Sequence, residues 1–415
     1  MIIRDPVHGD LAFTSIERRA MDTPTVQRLR GIRQTGTAYL VYPGCVHTRF
    51  EHSLGTSGMA RRIMASIRAN GTPISLEQES IVALAALLHD VSHLPFGHTF
   101  EDERKLFPRH DTPSRLAHFL SREDLTSALA PSGLLEPVVE LLSTGPDVQA
   151  GSSVLPWMHQ IVSSTIDADL LDYLRRDAYF AGLRQDYDDR VLSTFTVADN
   201  QLAVDATKLS TRTEILHLLR LRYFLTERIY FHHAKVISGA IIAKAVELAV
   251  QMGLSESDLY TLTDDGLLRH LQNIGSEPIR RLVSRVTGRN LLKRAYTLSP
   301  AKTGRRTRND LIARFHRSSE SRQQIEEELA TAASLPPEDV ILYCPDISAI
   351  KEANVTIKTN GGLRRLNEPA DNPPYDVKAV EDQYERLWRF YIFAPENSRE
   401  KVGTLAEKQF GLPSA

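Results

Sequence analysis

The chain has 415 residues, 42% hydrophobic and 25% charged, which is enough for a large core and typical of a globular protein. Its 50 basic and 52 acidic residues give a net charge of −2, which excludes a global positive field that would attract nucleic acid. Two cysteines, no signal-peptide pattern and no apolar run of membrane-spanning length predict a cytoplasmic protein without a disulfide framework or membrane association.

The first half of the chain is predicted to start with a hairpin and to continue in helices. Turn signals at proline and glycine divide residues 1–15 into a short hairpin. Residues 15–36 have a helical pattern that breaks at Pro24, and apolar residues at helical spacing predict a helix over 51–69. Helices are also predicted over 75–90, with Ser75 as the N-cap, over 155–182, with Gly182 as the C-cap, and over 213–253. Residues 97–120 have a less regular pattern.

The last part of the chain changes character. Residues 288–310 are basic and contain glycine, which predicts a loop. Runs of β-branched and aromatic residues predict strands at 340–344, 355–358 and 389–394. The expected fold is therefore mostly α, with a small C-terminal α+β unit. The expected division is 1–200, 201–335 and 336–415.

The strongest chemical signal is a His-Asp pair at the end of an apolar stretch. Residues 81–88 are almost entirely apolar, and His89 and Asp90 follow directly. Neutral imidazole and carboxylate oxygen are ligands that Mn, Fe, Zn and Mg sites use. Seven of the 14 histidines lie within residues 47–118, where a uniform spread would put about two. Further ligands are expected from the segments 47–55 and 166–177, which would give a His, His-Asp, Asp set; the alternative is a hydrogen-bonded core network.

Several short motifs, in order along roughly residues 1–190, make the chain resemble the HD-domain phosphohydrolases. The resemblance is to the branch that hydrolyses deoxynucleoside triphosphates (dNTPs), which has human and bacterial members. The motifs that carry it are Asp5–Gly9, Asp22–Arg30, Gln34–Gly36, Tyr42–Gly44, Thr48–Gly55, Leu88–His98 and Asp167–Asp177.

The resemblance implies an HD-type helical fold with a divalent metal, Mn, Mg, Fe or Zn; four ligands account for one ion, and nearby histidines and substrate oxygens could hold a second. The metal ligands that it implies are His52, His89, Asp90 and Asp169. It also implies a second histidine group, in which His98 and His110 act around the leaving oxygen and His93 contacts phosphate. Glu101 is expected to orient His98, with Asp102 as the competing residue. The alternative for these histidines is packing around the metal site.

Substrate contacts are expected from both the resemblance and the side-chain chemistry. Arg49 can donate two hydrogen bonds to phosphate, although a salt bridge is the alternative. Tyr173 is implied at the sugar, where a flat ring would leave no room for a 2′-hydroxyl. Asp177 and Gln34 are implied at the 3′-hydroxyl. Arg222 and Lys235 are expected either to neutralise triphosphate charge or to lie on a surface helix.

Departures from the family pattern bear on the substrate and on regulation. Leu170 stands where the human enzyme has a phosphate-binding lysine, and Thr35 where a leucine would narrow the sugar pocket. The residues that match the family's guanine-nucleotide activator site are Asp22, Gln27 and Arg30, but Met1 stands in place of the expected lysine. The resemblance implies a homo-oligomer, a dimer or a tetramer, in which a bound guanine nucleotide joins subunits.

The sequence therefore predicts hydrolysis of a dNTP to a deoxynucleoside and triphosphate. The three units become an HD phosphohydrolase core (1–200), a helical extension that completes the active site and oligomer contacts (201–335), and a C-terminal α+β subdomain (336–415). One alternative is a nucleotide monophosphatase or phosphodiesterase on the same site. The other is a nucleotide sensor or single-stranded nucleic-acid binder with vestigial chemistry, and the intact ligand set argues against it.

Overall fold

The computed structural model describes residues 1–143, 152–273, 276–346, 354–368 and 375–415. Its N-terminal hairpin pairs β1 and β2 in antiparallel register, with Asp5 opposite Gly9, as the sequence predicts. The elements of the first half of the chain are β1 (Ile2–Asp5), β2 (Gly9–Ala12), α1 (Ser15–Met21), α2 (Pro24–Gln27), α3 (Arg49–Ala69), α4 (Leu76–Leu88), α5 (Pro113–Leu120), α6 (Glu123–Leu129), α7 (Leu135–Ser143), α8 (Pro156–Val162), α9 (Ala168–Phe180), β3 (Phe195–Ala198) and β4 (Gln201–Asp205).

The second half of the described chain combines long helices with short strands. Two sheets form there: β3-β4-β7-β8, in which β7 runs parallel to β4, and β5-β9-β6, which is antiparallel throughout. Its elements are α10 (Leu209–Leu225), α11 (His233–Gln251), α12 (Asp264–Asn273), α13 (Glu277–Thr287), β5 (Lys293–Leu298), α14 (Arg305–Leu311), α15 (Ser319–Ala333), β6 (Ile341–Tyr343), β7 (Thr356–Thr359), β8 (Gly362–Arg365), α16 (Tyr375–Glu385), β9 (Phe390–Ala394) and α17 (Arg399–Phe410).

Helices α3 and α4 form the centre of the N-terminal core, and local capping defines where they begin. Thr48 and Glu51 exchange hydrogen bonds at the start of α3, and Ser75 and Gln78 do so at the start of α4, which confirms Ser75 as an N-cap. Every residue from Ile81 to Leu88 is buried. The apolar stretch therefore ends inside the protein and delivers the next two side chains to a buried position.

The single helix predicted over 155–182 is wrong. Helix α8 ends at Val162, and α9 starts only at Ala168. The Asp167 carboxylate accepts hydrogen bonds from the backbone N–H of Ser164, at 2.6 Å, and of Leu170, at 2.7 Å. A side chain that competes for backbone donors in this way starts a new helix. Gly182, at φ +68°, follows the end of α9 as expected.

Two other predictions need correction. The segment 213–253 is divided into α10 and α11, because the His232 side chain accepts the Ala234 N–H and caps α11. The segment 288–310 is not a loop, since β5 and α14 lie within it. Tyr296 and Leu298 of β5 are buried against its partner strand β9, so tertiary pairing overrides the basic local composition.

The predicted strands β6, β7 and β9 are confirmed, but they belong to different sheets. Strand β7 adds to β4 and packs on the N-terminal core, whereas β6 and β9 pair with β5. The boundaries of the expected units stay a prediction. In the described part of the chain, no single helix is long and apolar enough to cross a bilayer, although one bent helix pair, Glu123–Ser132 with Leu135–Ser143, meets that length and composition.

Candidate metal and phosphate site

Helices α3 and α9 and the end of α4 bring four predicted metal ligands together. Nε2 of His52 lies 2.9 Å from Oδ1 of Asp169 and 3.6 Å from Oδ2 of Asp90. Nε2 of His89 lies 3.4 Å from Oδ1 of Asp90 and 3.9 Å from Oδ1 of Asp169. Ligand atoms of His52, His89 and Asp90 lie within 4.8 Å of one another, and Asp169 contacts both imidazoles, so the four groups surround a space that suits a divalent metal.

The hydrogen bonds behind the two rings aim their Nε2 atoms inward. Nδ1 of His89 donates to the Ala86 carbonyl at 2.7 Å, and Nδ1 of His52 lies 2.7 Å from Oδ2 of Asp172. Each ring therefore directs Nε2 towards the other ligands, and Nε2 of His89 finds no hydrogen-bond partner among the described residues. Metal-binding histidines commonly have such a second partner, which fixes the tautomer.

The electrostatics of His52 show that the site needs a positive charge. Its Nε2 lone pair faces an Asp169 oxygen at 2.9 Å, so two acceptors would repel each other without a cation between them. Burial lowers the pKa of His52, but its hydrogen bonds to Asp169 and Asp172 raise the pKa to about 10. A proton or a metal ion at Nε2 would remove this repulsion, and the donor set of two imidazoles and two carboxylates suits a divalent cation.

Asp90 and Asp169 are held as carboxylates. Burial alone would raise the pKa of Asp90, yet Arg49 and the nearby imidazoles hold it well below its usual range. Nη1 of Arg49 donates to Oδ2 of Asp90 at 2.6 Å. Burial opposes ionisation of Asp169 too, and the hydrogen bond with His52 outweighs it and lowers the pKa. Both acids are therefore ready to bind a metal without first losing a proton.

Asp172 is a site residue that the sequence analysis missed. Its residue type and its spacing from the neighbouring arginines alone favour a solvated carboxylate or a pair with Arg175 and Arg176. It is fully buried and pairs with Arg176, but it also contacts His52 and His8. The four-residue spacing of Asp172 and Arg176, which suits an ion pair within one helix, was the available signal. The contact with His8 spans 164 positions, which no local pattern reveals.

The second histidine group lies beside the metal ligands. The ring centroid of His93 is 3.7 Å from that of His110 and 4.9 Å from that of His98. Nδ1 of His93 is 3.3 Å from Oδ1 of Asp90, so the two groups adjoin. The structure thus brings together all seven residues that were predicted as metal ligands or as the histidine group, although their roles stay predictions.

Glu101 connects two of these histidines. Its Oε2 lies 3.2 Å from Nδ1 of His98 and 3.1 Å from Nδ1 of His110, and its Oε1 accepts from Arg115 at 3.0 Å. Burial raises the pKa of Glu101, but the hydrogen bonds with His110 and His98 hold it well below the usual range. The expected pairing of Glu101 with His98 is therefore present in the geometry, whereas Asp102 lies farther away, at 3.8 Å.

His93 and His110 are kept neutral. Burial is the first cause that lowers both pKa values, and the Arg49 charge lowers that of His93 further. Both ring nitrogens of His93 are buried without a hydrogen-bond partner in the described structure. Nε of Arg49 is likewise buried and unpaired there. A phosphate oxygen would satisfy the one N–H of the neutral His93 ring and the Nε–H of Arg49.

The turn between His93 and His98, inside the second histidine group, is held in an unusual conformation. Phe96 and Gly97 both have left-handed backbones, at φ 61° and 60°. A Cβ atom on Gly97 would lie 2.6 Å from Nη2 of Arg49, so only glycine lets the guanidinium pass. The buried Asp264 carboxylate accepts the Phe96 N–H at 2.6 Å, and it also accepts the Arg33 N–H.

The predicted sugar contacts lie around a buried carboxylate. Oδ1 of Asp177 lies 2.7 Å from Nε2 of His47, and its Oδ2 accepts a hydrogen bond from the Tyr230 hydroxyl at 2.6 Å. Oε1 of Gln34 is buried and finds no partner among the described residues. The rings of Tyr173 and Tyr230 lie 6.4 Å apart. His47 and Tyr230 had no assigned role in the sequence.

Lys235 and Arg222, the two residues expected to neutralise triphosphate charge, have different surroundings. Nζ of Lys235 donates to Glu103 at 3.0 Å, so its charge is already paired. Arg222 lies near enough to Asp167 to lower that residue's pKa, although burial, the larger effect, raises it to about 8. The structure thus places Lys235 beside a carboxylate and Arg222 beside the start of α9.

The expected activator residues form part of a surface patch. Gln27 donates to the Met21 carbonyl at 2.8 Å and accepts from Nε of Arg30, also at 2.8 Å. The Arg30 guanidinium stacks 3.7 Å above the Phe50 ring. Asp22 is exposed and lies 3.5 Å from Arg18. Gln27 and Arg30 are thus held together, and Asp22 pairs with a neighbouring helix residue.

Comparison with known families shows which protein families the chain matches. Residues 49–177 match the HD domain, and residues 186–415 match the HD associated region. An uncharacterized protein of Methanocaldococcus jannaschii is 28% identical over 420 aligned residues, which cover 98% of this chain and 81% of that protein. The deoxynucleoside triphosphate triphosphohydrolase SAMHD1 of Gallus gallus is 28% identical over 340 residues, 70% of this chain and 55% of the relative. The chain thus spans about half the length of that relative.

Solved structures share the fold. A phosphohydrolase from Bacteroides thetaiotaomicron superposes with a TM-score of 0.72 at 22% identity, over 95% of this chain and 100% of that one. A hypothetical protein from Aquifex aeolicus gives a TM-score of 0.70 at 23% identity, over 97% and 99%. The HD-associated match alone covers more than half of the chain. The chain therefore belongs to the HD-domain phosphohydrolase family, in the group whose HD domain is followed by an HD-associated region.

Proposed function

We propose that the protein is a metal-dependent dNTP triphosphohydrolase, which releases a deoxynucleoside and intact triphosphate. One observation carries the proposal: a four-donor set, buried except for the half-exposed Asp169, directly adjoins His93, whose neutral ring has no hydrogen-bond partner among the described residues, and Arg49, whose Nε has none there. The metal ligands in the proposal are His52, His89, Asp90 and Asp169. A bound Mn, Mg, Fe or Zn ion would supply Lewis acidity and would lower the pKa of a coordinated water.

The chain's own residues would orient and neutralise the reacting phosphate. Arg49 is held in place by Asp90 through one terminal nitrogen, which leaves its Nε to donate to a phosphate oxygen. His93 would donate from the same side. Such fixed donors stabilise the charge that develops when water attacks the α-phosphorus.

His98 and His110 would serve the leaving 5′-oxygen. The His98 side chain is 44% exposed, so it faces the open side of the site, while Nδ1 lies against Glu101. This contact fixes the tautomer and leaves Nε2 directed away from the carboxylate. An imidazole in this position can hand a proton to the departing oxygen, and Glu101 would stabilise the charged ring that comes before the transfer.

The substrate class rests on the sugar pocket and on the relatives. SAMHD1 proteins of chicken and cattle, 28% and 26% identical, are described as deoxynucleoside triphosphate triphosphohydrolases. In this chain Gln34 and Asp177 would receive the 3′-hydroxyl: Oε1 of Gln34 has no partner among the described residues, and each Asp177 oxygen has a second lone pair beside its contact with His47 or Tyr230. Tyr173 would pack on the ribose ring and exclude a 2′-hydroxyl. Arg222 and Lys235 would neutralise the outer phosphates, Lys235 after leaving Glu103.

Regulation by a guanine nucleotide is part of the proposal. Asp22, Gln27 and Arg30 would read the guanine edge between subunits of a homo-oligomer, a dimer or a tetramer. The support is the Gln27–Arg30 hydrogen bond, which holds an amide and a guanidinium side by side.

Product analysis tests the proposed function. Metal-stripped protein is incubated with each dNTP, with and without added Mn²⁺ or Mg²⁺, and the products are separated by anion exchange. We expect a deoxynucleoside and tripolyphosphate only in the metal-containing samples. Monophosphate and pyrophosphate would favour a phosphodiesterase, and hydrolysis of deoxynucleoside monophosphates alone would favour a monophosphatase. Binding without hydrolysis would favour a sensor or a single-stranded nucleic-acid binder.

A further inference from the structure

The N-terminal hairpin reaches the metal site through one buried carboxylate, Asp172. Its Oδ1 accepts from Nε2 of His8 at 2.7 Å and from Nη2 of Arg176 at 2.9 Å. Its Oδ2 accepts from Nδ1 of His52 at 2.7 Å and from Nε of Arg176 at 2.9 Å. Each oxygen thus receives one imidazole and one guanidinium hydrogen.

The hairpin turn is locked to the same guanidinium. Nη1 of Arg176 donates to Oδ2 of Asp5 at 2.9 Å, and Oδ1 of Asp5 accepts the His8 backbone N–H at 2.8 Å. Asp5, His8, Asp172 and Arg176 therefore form a closed ring of hydrogen bonds. Their side chains are at most 3% exposed, so water does not compete for these contacts.

Helix packing is shaped to let this ring form. A Cβ atom on Gly55 would lie 1.8 Å from Oδ1 of Asp172, so α3 and α9 approach closely only because residue 55 is glycine. His52 lies one turn before Gly55 on α3. The close approach brings its Nδ1 to the carboxylate and points Nε2 to the other ligands.

We propose that His8 is a positioning residue for the metal ligand His52, acting through Asp172, so that docking of the hairpin sets metal affinity. The inference rests on the proposed function only in taking His52 as a ligand. His8 donates through Nε2, and its Nδ1 is buried without a partner among the described residues. Among the described residues, the polar contact of the His8 side chain is therefore the one with Asp172. Asp172 in turn fixes the tautomer and the ring angle of His52.

The test compares His8→Leu with His8→Gln. Leucine fills a similar volume without a donor, whereas the glutamine amide can still donate to Asp172. The control is Asp10→Asn, in the same hairpin, which affects only an exposed pair with Arg4. Mn²⁺ binding to metal-stripped protein is measured by calorimetry, and the fold by circular dichroism. Removal of such an outer partner typically weakens metal binding by 10- to 100-fold.

We expect His8→Leu to bind Mn²⁺ about 10-fold more weakly or worse, with His8→Gln and Asp10→Asn close to wild type. In an Asp172→Asn background His8→Leu should add little, because both changes interrupt the same path. Wild-type affinity in His8→Leu, loss of its fold, or full additivity would overturn the inference. Wild-type protein that binds no Mn²⁺ would overturn the inference and the metal site together. Tight metal binding without dNTP hydrolysis would overturn only the proposed substrate.

Discussion

His52 shows how much of the site a single residue's chemistry determines. Its identity as a ligand was predictable, because a histidine, a His-Asp pair and a distant aspartate occur in family order. Its partner Asp172 was not, because the same residue type at that spacing also suits an ordinary surface salt bridge. A carboxylate at the metal site differs from one in a surface salt bridge by being buried, and burial of a polar residue depends on tertiary packing. For the same reason, the contacts of His8, His47 and Tyr230 could not be predicted from the sequence.

Removal of His89 should empty the metal site without unfolding the protein. His89→Ala deletes a ligand whose hydrogen bond is to its own helix, at Ala86, so little apolar packing is lost. We expect metal content and dNTP hydrolysis to fall to background while the circular dichroism spectrum is retained. The exposed His118→Ala is the control and should keep its metal. Full metal occupancy in His89→Ala, measured by mass spectrometry, would contradict the ligand assignment.

Tyr173 should decide between deoxy and ribo substrates. It lies one turn after Asp169 on α9, with its ring 6.4 Å from that of Tyr230. Tyr173→Ala should increase the ATP-to-dATP ratio of kcat/KM on the order of 10-fold, which corresponds to about 1.4 kcal/mol of lost discrimination. Tyr173→Phe keeps the ring and should preserve the ratio. An unchanged ratio in the alanine variant would show that this ring does not exclude the 2′-hydroxyl.

The elements around the site were predictable where pattern and capping agree. Helix α4 has both, and its start at Leu76 follows from Ser75. The breaks at 163–167 and 231–232 were missed, because Asp167 and His232 act there as local hydrogen-bond partners inside apolar helical patterns. Strand β5 was missed because its partner β9 lies almost 100 residues later in the chain. A strand pairing over that distance leaves only a weak local signature.

The turn between His93 and His98 should make stability depend on pH through Asp264. Burial raises the pKa of this carboxyl to about 6, although the Arg33 and Phe96 backbone N–H groups and the Arg33 charge lower it in part. The folded state therefore binds the proton more tightly than the unfolded chain, whose aspartate titrates near 4. The stabilisation is complete below about pH 4 and is lost as pH rises through about 6.

Asp264→Asn should remove this dependence. As pH rises from about 4 to about 7, the wild-type free energy of unfolding should fall by up to about 3 kcal/mol relative to the variant. In the variant, the amide NH2 group of the new side chain faces one of the backbone N–H donors, which lowers the free energy of unfolding of the variant by an amount that does not depend on pH. Chemical denaturation at several pH values measures the difference. Parallel curves for the two proteins would mean that Asp264 is already ionised near pH 4.

At the scale of the molecule, buried ion pairs connect two of the hydrophobic clusters of the described residues, one that includes α11 and one that includes α15. Arg104 follows the turn that carries Glu101, and it donates to Glu326 of α15 at 2.8 Å and to Glu247 of α11. The histidine group is thereby tied to the C-terminal half of the chain. The mostly helical fold with a small strand-containing C-terminal part was predictable from composition and periodicity. The division of its strands between two sheets was not.

Assembly should respond to guanine nucleotide through the Gln27–Arg30 pair. We expect dGTP or GTP to raise dATP hydrolysis several-fold and to favour the larger oligomer, because an activator must bind the active assembly more tightly. Arg30→Ala should lose most of this response, while Arg18→Ala, which affects only the Asp22 side of the patch, should retain part of it. The measurements are hydrolysis rates and light scattering with and without dGTP. Equal rates and masses under all conditions would contradict the activator site.

The most direct test of the central claim is the position of the bond that breaks. Metal-loaded protein is given dATP in water enriched in ¹⁸O, and the products are analysed by mass spectrometry. If water attacks the α-phosphorus and the 5′-oxygen leaves, one ¹⁸O enters the tripolyphosphate and none enters the deoxyadenosine. Label in orthophosphate or in deoxyadenosine monophosphate, or an absence of hydrolysis by protein shown to hold its metal, would contradict the account.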